Sequence, residues 1–229
     1  MYLVIKRIVD LVFATMALLF LSPIFFLVIL ILKLTGEGEV FYLQLRPGLH
    51  GKVFKLIKFA TMMKNSSSIG TGNVTIKNDP RVLPFGMFLR KTKINEIPQL
   101  LNIFKGDMSF VGPRPLPIKN FEIYTYEAQK IIERMKPGLT GVGSVVFRNE
   151  EEIIDKLGMP LEKSLKEVIM PYKAKLEEWY YENQSITMYF KIIFITAWIV
   201  VFPESKIINF LIPDIPGNIK IDSLQQTQN

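Results

Sequence analysis

The 229-residue sequence contains no cysteine and only one histidine, His50. The absence of cysteine excludes disulfides, thiolate metal ligands and a cysteine nucleophile. A single histidine is too few for a histidine-based zinc site, and neither a serine-histidine-aspartate triad nor a Walker phosphate loop can be assembled. His50 stands in a Pro-Gly/His-Gly segment typical of a solvated turn. Any chemistry must therefore come from carboxylates, amides, hydroxyls and cations.

The sequence is also short of acidic residues, with 21 aspartates and glutamates against 28 lysines and arginines, a formal net charge of +7. This excess favours anionic partners such as phospholipid headgroups, phosphorylated substrates or nucleic acid. The basic residues are scattered, and neither a recognition helix nor an aromatic platform accompanies them, so a nucleic-acid partner is not expected. Hydrophobic residues make up 49% of the chain, which is high for a simple soluble protein.

Much of that hydrophobicity lies in residues 11–32, which carry no charge. As a helix this run would measure ~33 Å, about the thickness of a bilayer core. A secretory signal peptide is not expected, because the run is too long and no small-residue cleavage site follows it. The run therefore predicts a membrane helix, with a buried helix of a soluble protein as the alternative.

A proline stands inside this run, at Ser22-Pro23. Because proline removes the backbone donor to the Leu19 carbonyl, we expect a bend there, with the Ser22 hydroxyl as a candidate partner for that carbonyl. Basic residues flank the run on both sides, at 6–7 and at Lys33, so the positive-inside rule gives no direction across the membrane. The residues alone leave two topologies open, a kinked span and a re-entrant hairpin whose ends share one face.

Extended and loop patterns follow the apolar run. Residues 39–59 are rich in β-branched and aromatic side chains and predict two strands joined by a turn. Residues 64–80 are rich in glycine, serine and asparagine and predict a loop. A further glycine-rich segment, residues 136–150, predicts a loop or a short strand.

Helical patterns dominate the second half of the chain. Residues 120–135 and most of 150–183 read as helices with one charged side. Residues 188–202 predict a core or interfacial helix, because their uncharged stretch is short for a membrane span. In an interfacial helix, Tyr189 and Trp198 would lie at the level of the lipid headgroups.

Residues 93–115 combine a stripe of apolar residues at helical spacing, a Gly-Asp turn and a Pro-Arg-Pro close. Pro98 is tolerated only in a first turn, so the helix should begin near Asn95, which is a good N-cap, and Gly106 should end it. The positive end of a helix also favours bound phosphate. Asn95 and Glu96 would lie at that end.

An ordered series of motifs in this chain resembles the bacterial sugar transferase family, the small monotopic phosphoglycosyl transferases. In chain order the motifs are KRIVD, the Ser-Pro break, RPGLHGKVFKLIKF, NDPRV, LRKTKINEIPQLLNIFKGDMSFVGPRP and KPGLTG. Each motif is weak alone, but the series is specific. The resemblance implies transfer of a sugar phosphate from a nucleotide diphosphate sugar, usually a UDP-sugar, to polyprenyl (undecaprenyl) phosphate. A nucleoside monophosphate would be released.

The resemblance also implies a fold and a location. The fold class is α/β, mostly helical, with a re-entrant helix-break-helix hairpin over 1–35 and its break at Ser22-Pro23. A phosphoglycosyl transferase domain with amphipathic interfacial helices would follow over 36–221, and the polar residues 222–229 predict a disordered tail. The family topology favours the hairpin over the span. It implies a bacterial inner-membrane protein in contact with membrane lipid, with its domain on the cytoplasmic face.

The family's catalytic pair is Asp-Glu, with the aspartate as nucleophile and the pair helping to bind Mg²⁺. It maps onto Asn95-Glu96 in this chain. An amide is neutral, weakly nucleophilic and a poor ligand for Mg²⁺. Three explanations stay open: an introduced substitution, a natural subgroup that uses another route, or an inactive relative. In the second case Glu96 or Asp107 could attack, or the acceptor phosphate could displace the nucleotide directly.

Cationic side chains complete the expected site. Arg90 matches a family arginine near the bound phosphate, and Arg114 is held between two prolines that could aim its guanidinium at a phosphate. Lys58 and Arg46 are further candidates for diphosphate contacts. Asp107 could equally be a turn-stabilising carboxylate. The main functional alternative is a catalytically inactive, membrane-anchored relative that acts as a binding or scaffold protein.

Overall fold

The computed structural model describes residues 1–35, 37–66 and 79–217. Most of the predicted loop at 64–80, and the whole predicted tail at 222–229, lie outside the described residues. The described chain is mostly helical with two small sheets, which confirms the coarse fold class. It divides into a first unit (Met1–Lys6, Pro47–Lys52 and Ser109–Asn229) and a second unit (Arg7–Arg46 and Val53–Met108).

The N-terminal helix α1 spans Tyr2–Thr35. It is the one helix in the described ranges that is long and apolar enough to cross a membrane. The predicted break does not divide it, because the helix continues through Pro23. The Ser22 Oγ donates to the Leu19 carbonyl at 2.8 Å, as the sequence predicted, and so compensates the donor that proline lacks. The re-entrant hairpin stays a prediction.

The second unit contains an antiparallel strand pair and two short helices. The predicted strands are confirmed as β1 (Phe41–Arg46) and β2 (Phe54–Phe59). They are followed by α2 (Pro84–Lys91), a 3₁₀ turn (Ile94–Glu96) and α3 (Gln99–Lys105). A core cluster joins α1 to these elements through Val28, Leu32, Val40, Phe59 and Leu89. The second half of α1 is therefore part of this unit's core.

The first unit is built around a short parallel pair, β3 (Ser109–Val111) with β4 (Gly138–Thr140). The predicted turn residue His50 is exposed in a 3₁₀ turn, Leu49–Gly51. A π-helical turn, Leu165–Ile169, leads directly into α9. The helices of this unit are α4 (Ile118–Phe121), α5 (Tyr126–Ile132), α6 (Val142–Val146), α7 (Glu150–Leu157), α8 (Leu161–Ser164), α9 (Met170–Glu182), α10 (Ile186–Val201) and α11 (Ile207–Leu211).

The helix predicted at 188–202 is confirmed as α10, but the expected place of one aromatic residue is wrong. Tyr189 is fully buried and does not lie at a surface, because α10 packs against β3, β4 and α6. The Lys6 ammonium lies 5.9 Å from the centre of the Tyr189 ring, a cation–π distance. Trp198, nine residues later, remains partly exposed.

A buried charged cluster lies between α6, α7 and α9 of the first unit. Lys173 donates to both carboxylate oxygens of Glu150 at 2.8 Å. Glu177 is one turn further along α9, where burial raises its pKa to about 8 and the nearby Lys173 opposes that shift. Its carboxylate approaches Gly143 so closely that a Cβ there would lie 2.5 Å from Oε1. Gly143 is therefore needed to admit the carboxyl group.

Glu177→Gln should make stability less sensitive to pH. A carboxyl group whose folded pKa is raised holds its proton while the unfolded chain releases it. Folding stability therefore falls as pH rises from about 4.5 to about 8, by at most ~1.4 kcal/mol per pH unit. The measurement is the thermal unfolding midpoint in one detergent at pH 5 and pH 8. The glutamine variant should lose less stability between them, and equal losses in both proteins would contradict the assigned protonation.

Candidate active site

Asn95 lies inside the 3₁₀ turn Ile94–Glu96, and not at the N-cap of α3 as predicted. That helix begins at Gln99 with Pro98 in the capping position, and no side chain caps it. The backbone before α3 pairs three residues back instead of four, with the Ile97 N–H donating to the Ile94 carbonyl and the Leu100 N–H to the Ile97 carbonyl, so the α-helix starts only at Gln99. The other boundary is confirmed, because Gly106 ends α3 with a left-handed φ of 96°.

The Asn95 side chain is buried, with only 8% of the residue exposed. Its Oδ1 has no hydrogen-bond partner among the described residues. Leaving a buried acceptor unpaired costs about 1–3 kcal/mol, so such groups are rare and need an explanation. This oxygen, at the position that the family resemblance assigned to the nucleophile, can accept a hydrogen bond from water or substrate, or bind a metal ion.

Glu96 and Lys58 meet in this unit, although they are 38 positions apart. The Lys58 Nζ lies 3.9 Å from the Glu96 Oε1, and about one fifth of each side chain is exposed. Both were predicted site residues, and the structure brings them into contact. Glu96 is also the residue that follows Asn95 in the sequence. The carboxylate of the Asn-Glu pair thus lies near an ammonium group of opposite charge.

Asp107 is held by α3 and does not point freely toward a substrate. The Asn102 Nδ2 donates to Asp107 Oδ2 at 3.3 Å, and the Asp107 N–H donates to the Asn102 carbonyl at 3.0 Å. The Asn102 amide also bridges to β2, accepting from the Ile57 N–H at 3.0 Å and donating to the Lys55 carbonyl at 2.8 Å. These contacts favour the turn-stabilising interpretation of Asp107. Sequence reasoning missed Asn102, which looked like one more residue on a helix.

The predicted arginines have different surroundings. Arg90 is half-buried on the last turn of α2, the helix that contacts the Asn95 turn, and it has no ion-pair or hydrogen-bond partner in the described ranges. Arg46 is buried at the end of β1 and donates to the Gln44 side chain. Of the predicted arginines, Arg90 is therefore the one whose guanidinium is most available to bind a phosphate group.

Arg114 belongs to the first unit and is exposed. It lines a small cleft with its neighbours Pro113 and Pro115, together with Glu133 and Pro137. Burial lowers the pKa of the Lys173 ammonium, Glu150 opposes that shift, and the nearby Arg114 guanidinium adds a smaller lowering effect. That the flanking prolines aim the Arg114 guanidinium at a phosphate stays a prediction.

The NDPRV motif contains a buried ion pair, Asp79–Arg81, that the sequence did not predict. The Arg81 guanidinium donates to both Asp79 carboxylate oxygens, at 2.8 and 2.6 Å, and to the Ser66 carbonyl at 2.7 Å. The Arg81 N–H also donates to Asp79 Oδ1 at 3.0 Å, an Asx turn. The Asp-Pro dipeptide signals such a turn, but nothing in the sequence indicates that the arginine folds back onto it.

The fit to a metal ion is partial. In the part of the chain that the structure describes, no group of three or more histidine, aspartate or glutamate side chains is placed to hold a cation. Glu96 offers a carboxylate and Asn95 an unpaired amide oxygen. Mg²⁺ commonly takes only one or two protein ligands and completes its shell with water and substrate phosphates. These residues could hold it only together with a phosphorylated substrate.

Comparison with known proteins gives one consistent result. The family model for bacterial sugar transferases matches residues 1–203. The uncharacterized sugar transferase EpsL of Bacillus subtilis is 36% identical over 202 residues, 88% of this chain and 90% of that protein. The exopolysaccharide production protein ExoY of Sinorhizobium fredii is 38% identical over 159 residues, covering 63% of this chain and 70% of that one.

One longer relative has a named reaction. The UDP-glucose:undecaprenyl-phosphate glucose-1-phosphate transferase of Escherichia coli is 34% identical over 199 residues. The match covers 85% of this chain but only 39% of that protein. The similarity thus concerns one part of the larger enzyme.

Proposed function

Because this chain belongs to the bacterial sugar transferase family, we propose that it transfers a sugar 1-phosphate from a UDP-sugar to undecaprenyl phosphate. In this reaction the bond between the β-phosphorus and the bridging oxygen breaks, UMP leaves, and a new phosphorus–oxygen bond joins the sugar phosphate to the lipid phosphate. The product is a polyprenyl diphosphate sugar, the first membrane intermediate of polysaccharide assembly. The named reaction of the E. coli relative supports this proposal.

The observation that carries the proposal is the cluster of ionic and buried polar groups around the Asn95 turn. Lys58 and Arg90 supply positive charge in the second unit for a diphosphate, and Arg114 is the cation that we propose for the first unit. Guanidinium and ammonium groups placed near a transferring phosphoryl group stabilise the charge that develops on it. Glu96 is the acidic residue of the site.

Mg²⁺ is the cofactor that we propose, with Glu96 and the Asn95 Oδ1 as its protein ligands and the donor diphosphate completing its shell. Bound there, it would neutralise charge on the diphosphate. Lys58 competes for the same carboxylate at 3.9 Å, so this chain should bind the metal more weakly than a family member with two carboxylates. Metal binding should therefore depend on the nucleotide sugar.

Asn95 determines which chemical route is open. Its amide cannot form the acyl phosphate that an aspartate would form. The remaining routes are attack by Glu96 and direct displacement by the acceptor phosphate. Asn95 also favours a second candidate function, a membrane-anchored protein that binds the nucleotide sugar or the lipid phosphate without turning them over.

The test is UMP release from a panel of UDP-sugars by the full chain in nanodiscs, with and without undecaprenyl phosphate. Acceptor-dependent UMP, lost in Glu96→Gln, would support the transferase. Nucleotide-sugar binding without UMP release in any combination would favour the binding protein. Neither binding nor release would contradict both candidates.

The contacts of α1 support a re-entrant topology. In the second unit the Arg7 guanidinium donates to the carbonyls at the end of α3, at 2.6 Å to Ile103 and 2.8 Å to Phe104. Leu32, near the other end of α1, lies in the core with Leu89 of α2. A straight helix would separate Arg7 from Leu32 by ~37 Å, more than a bilayer core. Contacts of both ends with one small unit favour a single membrane face, which we propose is the cytoplasmic face of the inner membrane.

Both ends of α1 should therefore be protected from the outside of an intact cell. The absence of cysteine allows one cysteine in a short extension before Met1 and, in a second variant, Glu37→Cys. Neither should react with an impermeant maleimide in intact cells, and both should react after permeabilisation. Labelling of only one position in intact cells would establish a span and contradict the hairpin.

A further inference from the structure

The β1–β2 sheet has two faces of different character. We define its outer face as Phe41, Leu43 and Leu45 of β1 with their cross-strand partners Phe59, Ile57 and Lys55. The opposite face carries Lys58, which meets Glu96, and Leu56, which is only 1% exposed. The opposite face therefore carries the candidate site, while the outer face joins the core at its Phe59 end, where it packs against α1.

The outer face is apolar and yet exposed along β1. Phe41, Leu43 and Leu45 are 38%, 51% and 52% exposed, and they are the three residues that β1 places on this face. In an antiparallel pair with one buried face, the solvent face normally carries polar residues. An apolar patch in their place indicates a contact with something other than water.

The outer face is continuous with the membrane helix. The Phe25 ring of α1 lies 5.0 Å from the Phe59 ring and 6.0 Å from the Phe41 ring, and those two rings stack at 5.7 Å. Phe25 stands inside the uncharged run of α1. Leu43 and Leu45 follow Phe41 by ~7 and ~13 Å along the strand. These distances are within the thickness of one leaflet.

The net positive charge of the two strands favours contact with an anionic surface. The two strands carry three basic residues and no acidic one. Lys55 is exposed and directly opposite Leu45, so its ammonium stands at the end of the apolar row. A lysine beside apolar side chains can bury its stem and extend its charge to an anionic headgroup.

We propose that the outer face lies against an anionic lipid leaflet, beside α1, with Leu43 and Leu45 among the acyl chains and Lys55 at the headgroups. The sheet is then a membrane-contacting element whose other face carries Lys58. The candidate site would lie one packed layer, ~10 Å, from the lipid. This distance suits an acceptor whose phosphate is attached to a membrane-embedded chain.

The test uses single-cysteine variants of the full chain, Leu43→Cys and Leu45→Cys, labelled with an environment-sensitive fluorophore in nanodiscs containing phosphatidylglycerol. Lys64→Cys, exposed in the same unit, is the matched control. We expect blue-shifted emission at positions 43 and 45, with several-fold stronger quenching by brominated acyl chains than at position 64. In discs of neutral lipid, or with Lys55→Glu, the label at position 45 should shift toward a water-like emission.

Two results would overturn the proposal. Water-like emission at 43 and 45, with iodide quenching equal to that at position 64, would mean that the outer face is in solvent. Apolar emission that brominated lipid does not quench, and that is lost when each disc holds one copy, would mean that a second copy covers the free edge of β1. Acyl-chain quenching in single-copy discs, stronger in anionic lipid, would support the lipid contact.

Discussion

Asn95→Asp is expected to raise acceptor-dependent UMP release on the order of 10²-fold or more, since one catalytic group usually contributes at least that much. The change replaces a neutral amide with a carboxylate that can attack phosphorus. It also adds a second negative charge next to the Glu96 carboxylate, which already lies near Lys58. The surplus negative charge should recruit Mg²⁺, so the gain should depend on the metal.

The distinguishing measurement is intact-protein mass spectrometry with UDP-sugar and no acceptor. The Asn95→Asp variant should gain the mass of one sugar phosphate, while the unsubstituted protein should not. Adding Glu96→Gln to the Asn95→Asp variant should abolish turnover, because a metal ligand is lost. Asn95→Ser is a matched control that removes the amide without adding charge. If the unsubstituted protein turns over well and Asn95→Asp gains neither rate nor adduct, direct displacement or attack by Glu96 becomes the mechanism to test.

Arg90→Ala is expected to lower kcat/KM by about 30- to 900-fold, which corresponds to ~2–4 kcal/mol of transition-state stabilisation. The guanidinium is half-buried on the helix that contacts the Asn95 turn and has no partner within the described ranges. It is therefore available for a phosphate, and its removal should leave the fold intact. Arg114→Ala is expected to act in the same direction.

Lys91→Ala provides a matched control, because Lys91 is the next residue of α2, carries the same charge and is exposed. It should change kcat/KM by less than about threefold, since exposed charges contribute little. Arg90→Lys separates charge from geometry: partial recovery would indicate a point charge, and none would indicate a forked contact with two oxygens. Similar small losses in Arg90→Ala and Lys91→Ala would show that the phosphate binds elsewhere.

The features that the sequence predicted correctly depend on local patterns. The strand pair within 39–59 follows from a segment rich in β-branched and aromatic residues around a turn, and the end of α3 follows from Gly106. The contact between Ser22 and the Leu19 carbonyl follows from the proline beside it. In each case the cause lies within a few residues of the effect.

The features that it did not predict depend on distant partners. Lys6 and Arg7 were interpreted as charges flanking a membrane helix, but they bind backbone carbonyls about 100 positions away. Glu177 and Lys173 look like the charged side of an amphipathic helix, and only tertiary packing buries them. The predicted Asn95 cap was wrong for a nearer reason, because the backbone around it pairs three residues back and the α-helix starts only at Gln99.

The packing of α1 has a consequence for how the protein is made. Val28 and Leu32 pack in a core with Phe59 and Leu89, which are synthesised later. Arg7 likewise binds a carbonyl at the end of α3, which is synthesised about 100 residues after it. The second unit therefore cannot complete its fold until the end of α3 has been synthesised. Deleting residues 1–35 to obtain a soluble enzyme would expose that core and leave an aggregating fragment. The long apolar helix α1 is thus a folding partner of the second unit and not only a candidate membrane anchor.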